Sequence, residues 1–490
     1  MDFELRPIKE LYPRVEMLFK EKFELDDYDN QRSIKVLANF LTDLRDDIIV
    51  GIESKYVDKL YRDEYYHYYS SKLEEYKRDC IRLSFFETGI SSDDFYSAEG
   101  VANLQKRFFG FLVLRPTAPK VIGRNALRPD IFVKTLSWHA AIAPIGATIN
   151  GIKLSVEAFP HASQDEEFMV CAETTLWASM EYFANRYPEY RPVLPKKIHT
   201  ILSHTSMQRQ IPSSGLTGLQ MSFALKEAGF GVKMYGAAAY GDEPLLRMIK
   251  MYVESGIPVI AALSNSNGIN HVINITGRTD FEYPAGFGFT AVTTLPSGNV
   301  LYDYYDQPCR YLGIDDNFQP YKPIPLDNPA FHYLPANVKW EGCKIAAAIV
   351  PLHERIYMEA DRARKLAHEA LIIQDSLTPL PTSVVRVLLS SSRSFKHSVS
   401  LNKDITKEVK TVLINLDMPK FVWIAETGTP DSFSANKATG MILMDATEPK
   451  KRAILASLLE NAYIGPINGL VNRYSLPLQP FSIHRNLKLF

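Results

Sequence analysis

A chain of 490 residues is long for one core and predicts two or three domains, and its 46% hydrophobic and 23% charged content is that of an ordinary globular protein. A formal net charge of -1, with no extended Lys/Arg tract, excludes a protein drawn by its overall field onto nucleic acid or an anionic membrane. Four scattered cysteines (Cys80, Cys171, Cys309 and Cys343), none in CxxC spacing, exclude a disulfide framework and a zinc knuckle.

In chain order, the N-terminal MDFELR carries acids and no apolar segment, so no secretory signal is expected. No apolar run is long enough for a bilayer, so no membrane span is expected and the default location is cytoplasmic. Residues 31–46 place apolar side chains at helical spacing. Residues 61–76 are crowded with Tyr and charge, which reads as amphipathic aromatic packing at a surface rather than a base-stacking stripe. Residues 109–116 predict a strand stopped by Pro116, and several short β-like runs follow over 131–160.

A helix is predicted to open at Cys171 (CAETTLWASMEYF), and Pro192 and Pro195 break the pattern after it. A second helix covers 216–230 and ends at a glycine; a short strand follows at 232–235, then a third helix over 243–254. Residues 256–263 read as a buried strand, and His271 opens the next, in GINHVINITG at 268–277. Further strands are expected at 287–292 and 300–305, with a turn at 296–299, and a buried strand at 344–350. Beyond it, 354–372 predicts a helix with Arg362 and Glu369 outside. Pro379 and Pro381 break the chain, 421–426 and 440–445 predict paired strands, and 452–463 predicts a helix. Helices first and antiparallel strands after make the fold α+β. Three regions are expected: a mixed N-terminal domain over 1–150, a central domain over 151–345, and a C-terminal extension over 346–490.

The chemistry concentrates in the middle region. A cysteine in the first turn of a helix sits among unpaired N–H groups, whose partial positive charge favours the nucleophilic thiolate. One hundred residues on, His271 stands at the mouth of a β-branched run, and carboxylates follow at Asp303, Asp306, Asp315 and Asp316. The other three cysteines lie among apolar and aromatic residues and read as structural. Metal binding finds no support in spacing. His199 and His204 are five apart, and neither His353-Glu354 nor His368-Glu369 begins an HExxH motif. No phosphate-binding glycine loop is present, so neither a nucleotide nor any other cofactor is expected. The Gly286-Phe287-Gly288-Phe289 patch reads as a bulge or close backbone approach. Asn274-Ile275-Thr276 matches a glycosylation sequon inside a predicted core strand and is discounted.

Five elements in order carry a resemblance: the helix-opening Cys171, the glycine-bounded helix at 215–230, the GIPVI strand at 256–260, GINHVINITG at 268–277, and DDNFQPY at 315–321. Over about 160–320 the chain resembles the papain-like superfamily of cysteine peptidases, in the style of its bacteriocin-processing branch. The resemblance implies a papain-like core, a helix carrying the cysteine followed by an antiparallel sheet. It also implies a thiol hydrolase acting on a peptide or isopeptide bond of a peptide or protein substrate. Carried over by position, Cys171 is the nucleophile, His271 the base, Asp315 the residue that orients His271, and Gln164 the oxyanion donor. Departures from the family pattern are the Cys171 neighbours Val170 and Ala172, and a choice of acids after the histidine strand. The same machinery serves transglutaminase-type transfer or deamidation, and a silent papain-like scaffold that binds peptides is the reading from another class. The large flanking regions imply substrate selection or a protein partner.

Overall fold

The computed structural model describes residues 3–205, 210–213, 215–449, 453–467 and 470–490. It is a mixed α+β structure built on three larger sheets, almost wholly antiparallel. Met1, Asp2 and Arg452, which entered the sequence reading, lie outside the described residues.

The first sheet is a five-stranded meander of Phe3–Pro7, Ile48–Tyr56, Cys80–Glu87, Phe108–Leu114 and Ile122–Leu127. Cys80–Glu87, Phe108–Leu114 and Ile122–Leu127 are buried on both faces, and period-two alternation divides their side chains between two cores. Ile81, Leu83 and Phe85 face the main core, whereas Cys80 and Phe86 face a smaller one with Phe108, Phe111 and Val113. The helical segment expected at 31–46 runs instead over Asp27–Phe40, where the Asp26 carboxylate accepts from the Asp29 N–H at 2.8 Å and caps the start. The Tyr-rich stretch packs ring on ring, Tyr69 against Tyr76 at 4.8 Å and Tyr61 against Tyr69 at 5.9 Å. A hairpin of Ala143–Ile149 and Ile152–Ala158 follows, turned by Asn150 and Gly151, both at positive φ as a two-residue hairpin loop requires.

The central sheet runs in the order Lys322–Ile324, Tyr311–Ile314, Asn270–Thr279, Val259–Ser264, Lys344–His353, Phe230–Gly236. Trp138–Ala140 pairs with the far end of Asn270–Thr279, and Lys488–Leu489, at the end of the chain, pairs with Trp138–Ala140. The Cys171–Arg186 helix lies on this sheet, fastened by polar contacts inside the apolar layer. Thr175 Oγ1 donates to the Val272 carbonyl at 3.1 Å, Ser179 Oγ donates to Asn274 Oδ1 at 2.7 Å, and Asn274 Nδ2 donates to the Thr175 carbonyl at 2.9 Å. Asn274 is thus fully buried and engaged, which removes it as a glycosylation acceptor.

The third sheet takes Ala291–Thr294 and Val300–Asp303 from the middle of the chain. It continues through Ser383–Ser391, Phe421–Gly428, Gly440–Asp445, Ile454–Leu459, Ala462–Ile467 and Leu470–Ser475. Val300–Asp303 runs parallel to Ser383–Ser391, whereas Phe421–Gly428 and Gly440–Asp445 pair antiparallel. Sheet membership therefore crosses residue 345 in both directions, since Lys344–His353 is an inner strand of the central sheet.

Three further sequence expectations are corrected. Residues 453–463 are not helical but two strands joined by Glu460 and Asn461, both at positive φ. Pairing with Gly440–Asp445 outweighs the helix propensity of Ala, Leu and Glu there. The strand expected at 287–292 begins only at Ala291, and the helix expected at 354–372 runs over Ala360–Leu377. No helix among the described residues is long and apolar enough to cross a membrane.

Candidate active site

Topology brings the three principal residues together at one end of the central sheet. His271 is the second residue of Asn270–Thr279, and Asp315 and Asp316 directly follow Tyr311–Ile314. These strands are antiparallel neighbours in the register Asn274↔Ile314, so the residues after Ile314 run toward the His271 end. The Cys171–Arg186 helix points its N-terminus at the same place. Its preceding residue, Val170, supplies no side-chain cap to the first turn.

His271 Nε2 lies 3.1 Å from Asp315 Oδ1, and both side chains are buried. The Cys171 thiol lies near enough to the same ring to raise its basicity. Cys171 is half-buried, and it opens its helix as expected. Burial works against a charged His271, but the Asp315 carboxylate beside it prevails and raises the imidazole well above its ordinary range. Asp315 answers in the opposite sense. Burial alone would raise it, and the His271 charge and its hydrogen bonds hold it well below the usual carboxylate range. Burial pushes the thiols of Cys80, Cys309 and Cys343 up.

Of the acids left open by the sequence, only Asp315 and Asp316 meet His271. Asp303 is taken by Arg364 at 2.8 Å and Arg247 at 3.2 Å, and Asp306 lies 3.9 Å from the same Arg247. Asp316 sits 3.7 Å from His271 Nε2 through Oδ1, while its Oδ2 accepts from Thr174 Oγ1, in the first turn of the cysteine helix, at 3.3 Å. Burial, reinforced by neighbouring Asp315 and opposed by His271, pushes the Asp316 carboxyl up to about 7.

Gln164 lies beside the acid loop. Its Nε2 donates to Asn317 Oδ1 at 2.9 Å, and the Asn317 N–H donates to Asp315 Oδ1 at 3.0 Å. The loop from Gln164 to Cys171 is pinned by Asp165, whose Oδ1 accepts the N–H groups of Glu167, Phe168 and Met169 at 2.9, 2.8 and 2.8 Å. His161 ties this loop to the acid: its Nε2 meets the Asp315 carbonyl at 2.9 Å, and its Nδ1 meets Asn125 at 2.7 Å. Burial lowers His161 to about 4, so it serves as a neutral bridge.

Sequence reasoning missed the residues that roof the site. The Tyr333 hydroxyl donates to Asp315, 2.8 Å from Oδ2, and accepts from Asn317 Nδ2 at 3.1 Å. The Tyr333 ring stacks on Trp340 at 3.7 Å, and Trp340 stands edge-on to His271 at 5.5 Å. Together they cover the His271–Asp315 pair with aromatic surface. His332 Nε2 lies 3.6 Å from Asp315 Oδ2. These residues come from a loop without periodicity, and no spacing rule ties them to His271. A separate cavity of about 380 Å³ lies beside Gln319–Pro323, walled by Phe132, Trp138 and Tyr321, and none of Cys171, His271 and Asp315 lines it.

Against known proteins, the chain matches no family model and no curated protein.

Proposed function

We propose that the protein is a cysteine-dependent hydrolase with a papain-like core, acting on a peptide or isopeptide bond of a peptide or protein substrate. One observation carries the reading: a half-buried cysteine at a helix N-terminus lies beside an imidazole whose Nε2 meets a buried carboxylate. That is the nucleophile–base–orienter relation of thiol and serine hydrolases, in which roles rather than chain order define the set. The core supports it too, since a helix opening on cysteine packs against an antiparallel sheet whose adjoining strands supply the histidine and the acid.

In this reading His271 holds the thiol proton and Asp315 fixes the ring through Nε2. The Cys171 sulfur attacks the carbonyl carbon, forming an S–C bond as the carbonyl π electrons move to oxygen. The Cys171 backbone N–H and the Gln164 amide stabilise the oxyanion; one such donor is worth about 3 kcal/mol. Collapse breaks the C–N bond, and the proton on His271 passes to the leaving amine. Water, deprotonated by His271, then cleaves the thioester. An amine in place of water makes the same site a transferase, and a side-chain amide substrate makes it a deamidase.

The test is iodoacetamide labelling at fixed mildly acidic pH, with each site quantified by mass spectrometry. Cys171 is expected to react fast in the wild type and at least about tenfold more slowly in His271→Ala, because thiolate is the reacting form. A Cys171 rate that His271→Ala leaves unchanged overturns the hydrolase reading and favours a silent peptide-binding scaffold.

A further inference from the structure

The site contains more ligating chemistry than a triad uses. His271 Nε2 and one oxygen each from Asp315 and Asp316 lie within 4.8 Å of one another, all on buried residues. Nε2 is 3.1 Å from Asp315 Oδ1 and 3.7 Å from Asp316 Oδ1. Two ligand atoms of a tetrahedral zinc ion at ordinary bond lengths stand about 3.4 Å apart, inside that range.

One buried atom points to a missing ligand. Asp316 is 4% exposed, and its Oδ1, aimed at His271, has no hydrogen-bond partner. Behind the cluster the His332 side chain is 5% exposed, with Nε2 facing Asp315 Oδ2 from 3.6 Å. Buried polar atoms are seldom left unsatisfied without a functional cause.

We propose that His271, Asp315 and Asp316 form a first-row divalent-cation site, with His332 bracing the Asp315 carboxylate from behind, and that the bound cation reversibly silences Cys171. The donor set, one imidazole and two carboxylates, suits Zn²⁺ and leaves a fourth position for water. A cation on Nε2 displaces any proton there and leaves the single ring proton on Nδ1. In the triad arrangement of the hydrolase reading the thiol meets Nδ1, which then has no lone pair with which to accept the thiol proton. Binding of the cation stands apart from the hydrolase reading; its effect on the thiol rests on that reading.

The experiment titrates metal-free full-length protein with Zn²⁺ alone, for wild type, Cys171→Ala and Asp316→Asn, and follows iodoacetamide labelling of Cys171 in parallel. One Zn²⁺ per chain is expected in wild type and Cys171→Ala, with at least about tenfold weaker binding in Asp316→Asn. Labelling of wild-type Cys171 should slow about tenfold with zinc and recover with EDTA. Co²⁺ added to wild type should give visible d–d bands without sulfur charge transfer, a readout independent of whether Asp316→Asn folds. Absence of zinc binding, undiminished binding in Asp316→Asn, or a sulfur charge-transfer band lost in Cys171→Ala each overturns the cation site. Zinc bound at the Asp316-dependent site while His271-dependent labelling continues unslowed overturns the silencing. Zinc bound there while labelling ignores both zinc and His271→Ala leaves the cation site standing and sinks the hydrolase reading instead.

Discussion

At the scale of single residues, Tyr333 is the side chain on which the His271–Asp315 pair most depends. Its hydroxyl is the donor that keeps Asp315 turned toward the ring, and its own ring is held flat by Trp340. Tyr333→Phe keeps the stack and removes the donor, leaving a buried carboxylate short of one hydrogen bond. The expected result is a loss of about 1–3 kcal/mol in urea unfolding and slower labelling of Cys171. Glu173 supplies a pH-dependent term two residues from Cys171. It is buried, and burial chiefly raises its carboxyl to about 7 against a hydrogen bond from Ser213, with nearby Asp165 adding to the rise. Its ordinary value is 4.5, so the folded state keeps a proton that the unfolded chain releases first. This stabilising contribution is complete below about pH 4.5 and disappears as pH climbs to about 7. Glu173→Gln cannot titrate, so wild-type stability should fall relative to it across that window, by on the order of 3 kcal/mol. Urea unfolding of both proteins at pH 4.5, 6 and 8 checks this, and parallel profiles would remove Glu173 as the cause.

Among elements, the strand bearing His271 is constrained at its far end as tightly as at the site. Gly277 lies where Asn270–Thr279 meets Trp138–Ala140, opposite Ala140. A Cβ there would fall 2.1 Å from the His139 carbonyl oxygen and 2.9 Å from the Ala140 Cα, both backbone atoms that cannot swing aside. Gly277→Ala should therefore cost at least about 2 kcal/mol, read by urea unfolding, through separation of these two strands. Several element boundaries were legible because their punctuation is chemical. Gly229 follows the 218–227 helix, Pro192 and Pro195 close off the cysteine helix, and Pro296 to Asn299 make the turn before Val300, although the helix that Pro195 opens over Pro195–Ser203 was not expected. The hairpin at 454–467 was illegible for the complementary reason. Its turn is Glu460-Asn461 rather than a glycine pair, and its strands are rich in residues that also favour helices.

For the molecule as a whole, the central and third sheets are joined by a buried charge network rather than by apolar contact alone. Glu254, the last residue of Asp242–Glu254, accepts from Arg278 of the central sheet at 2.9 Å and from Arg386 of the third sheet at 2.7 Å. Arg386 continues to Glu426 at 2.6 Å and to the His484 carbonyl at 2.8 Å. Burial acts to raise the Glu254 carboxyl, but the two guanidinium groups hold it far below its ordinary range. Such a group stabilises the fold above its unfolded pKa and loses that contribution as pH falls through the folded one. Glu254→Gln leaves buried Arg278 facing a neutral amide and Arg386 with the Glu426 carboxylate alone, and should destabilise by about 3–5 kcal/mol at neutral pH. The gap to wild type should narrow in strong acid, and unfolding monitored by Trp fluorescence across pH measures it. A loss below about 1 kcal/mol would mean that the two sheets are held together without this network.

Sequence signals alone set the α+β class, the helices now seen at 27–40, 171–186, 218–227, 242–254 and 360–377, several inner strands, and Cys171 and His271 as the pair worth following; the helices at 59–67, 98–107, 195–203, 392–401 and 407–415 escaped them. Those signals are local: periodicity, turn residues, and a cysteine at the head of a helix. Tertiary structure alone decided which acid meets His271, because four carboxylates follow it in the chain and only register places Asp315 and Asp316 beside it while arginines take Asp303. It alone assembled the Tyr333–Trp340 roof and the buried ligand atoms around His271, which come from loops far from it in sequence. Its reach extended to the sheets themselves, since residues 291–303 join strands that follow about 80 residues later. Long-range pairing depends on how whole elements pack, and no window of sequence encodes that choice.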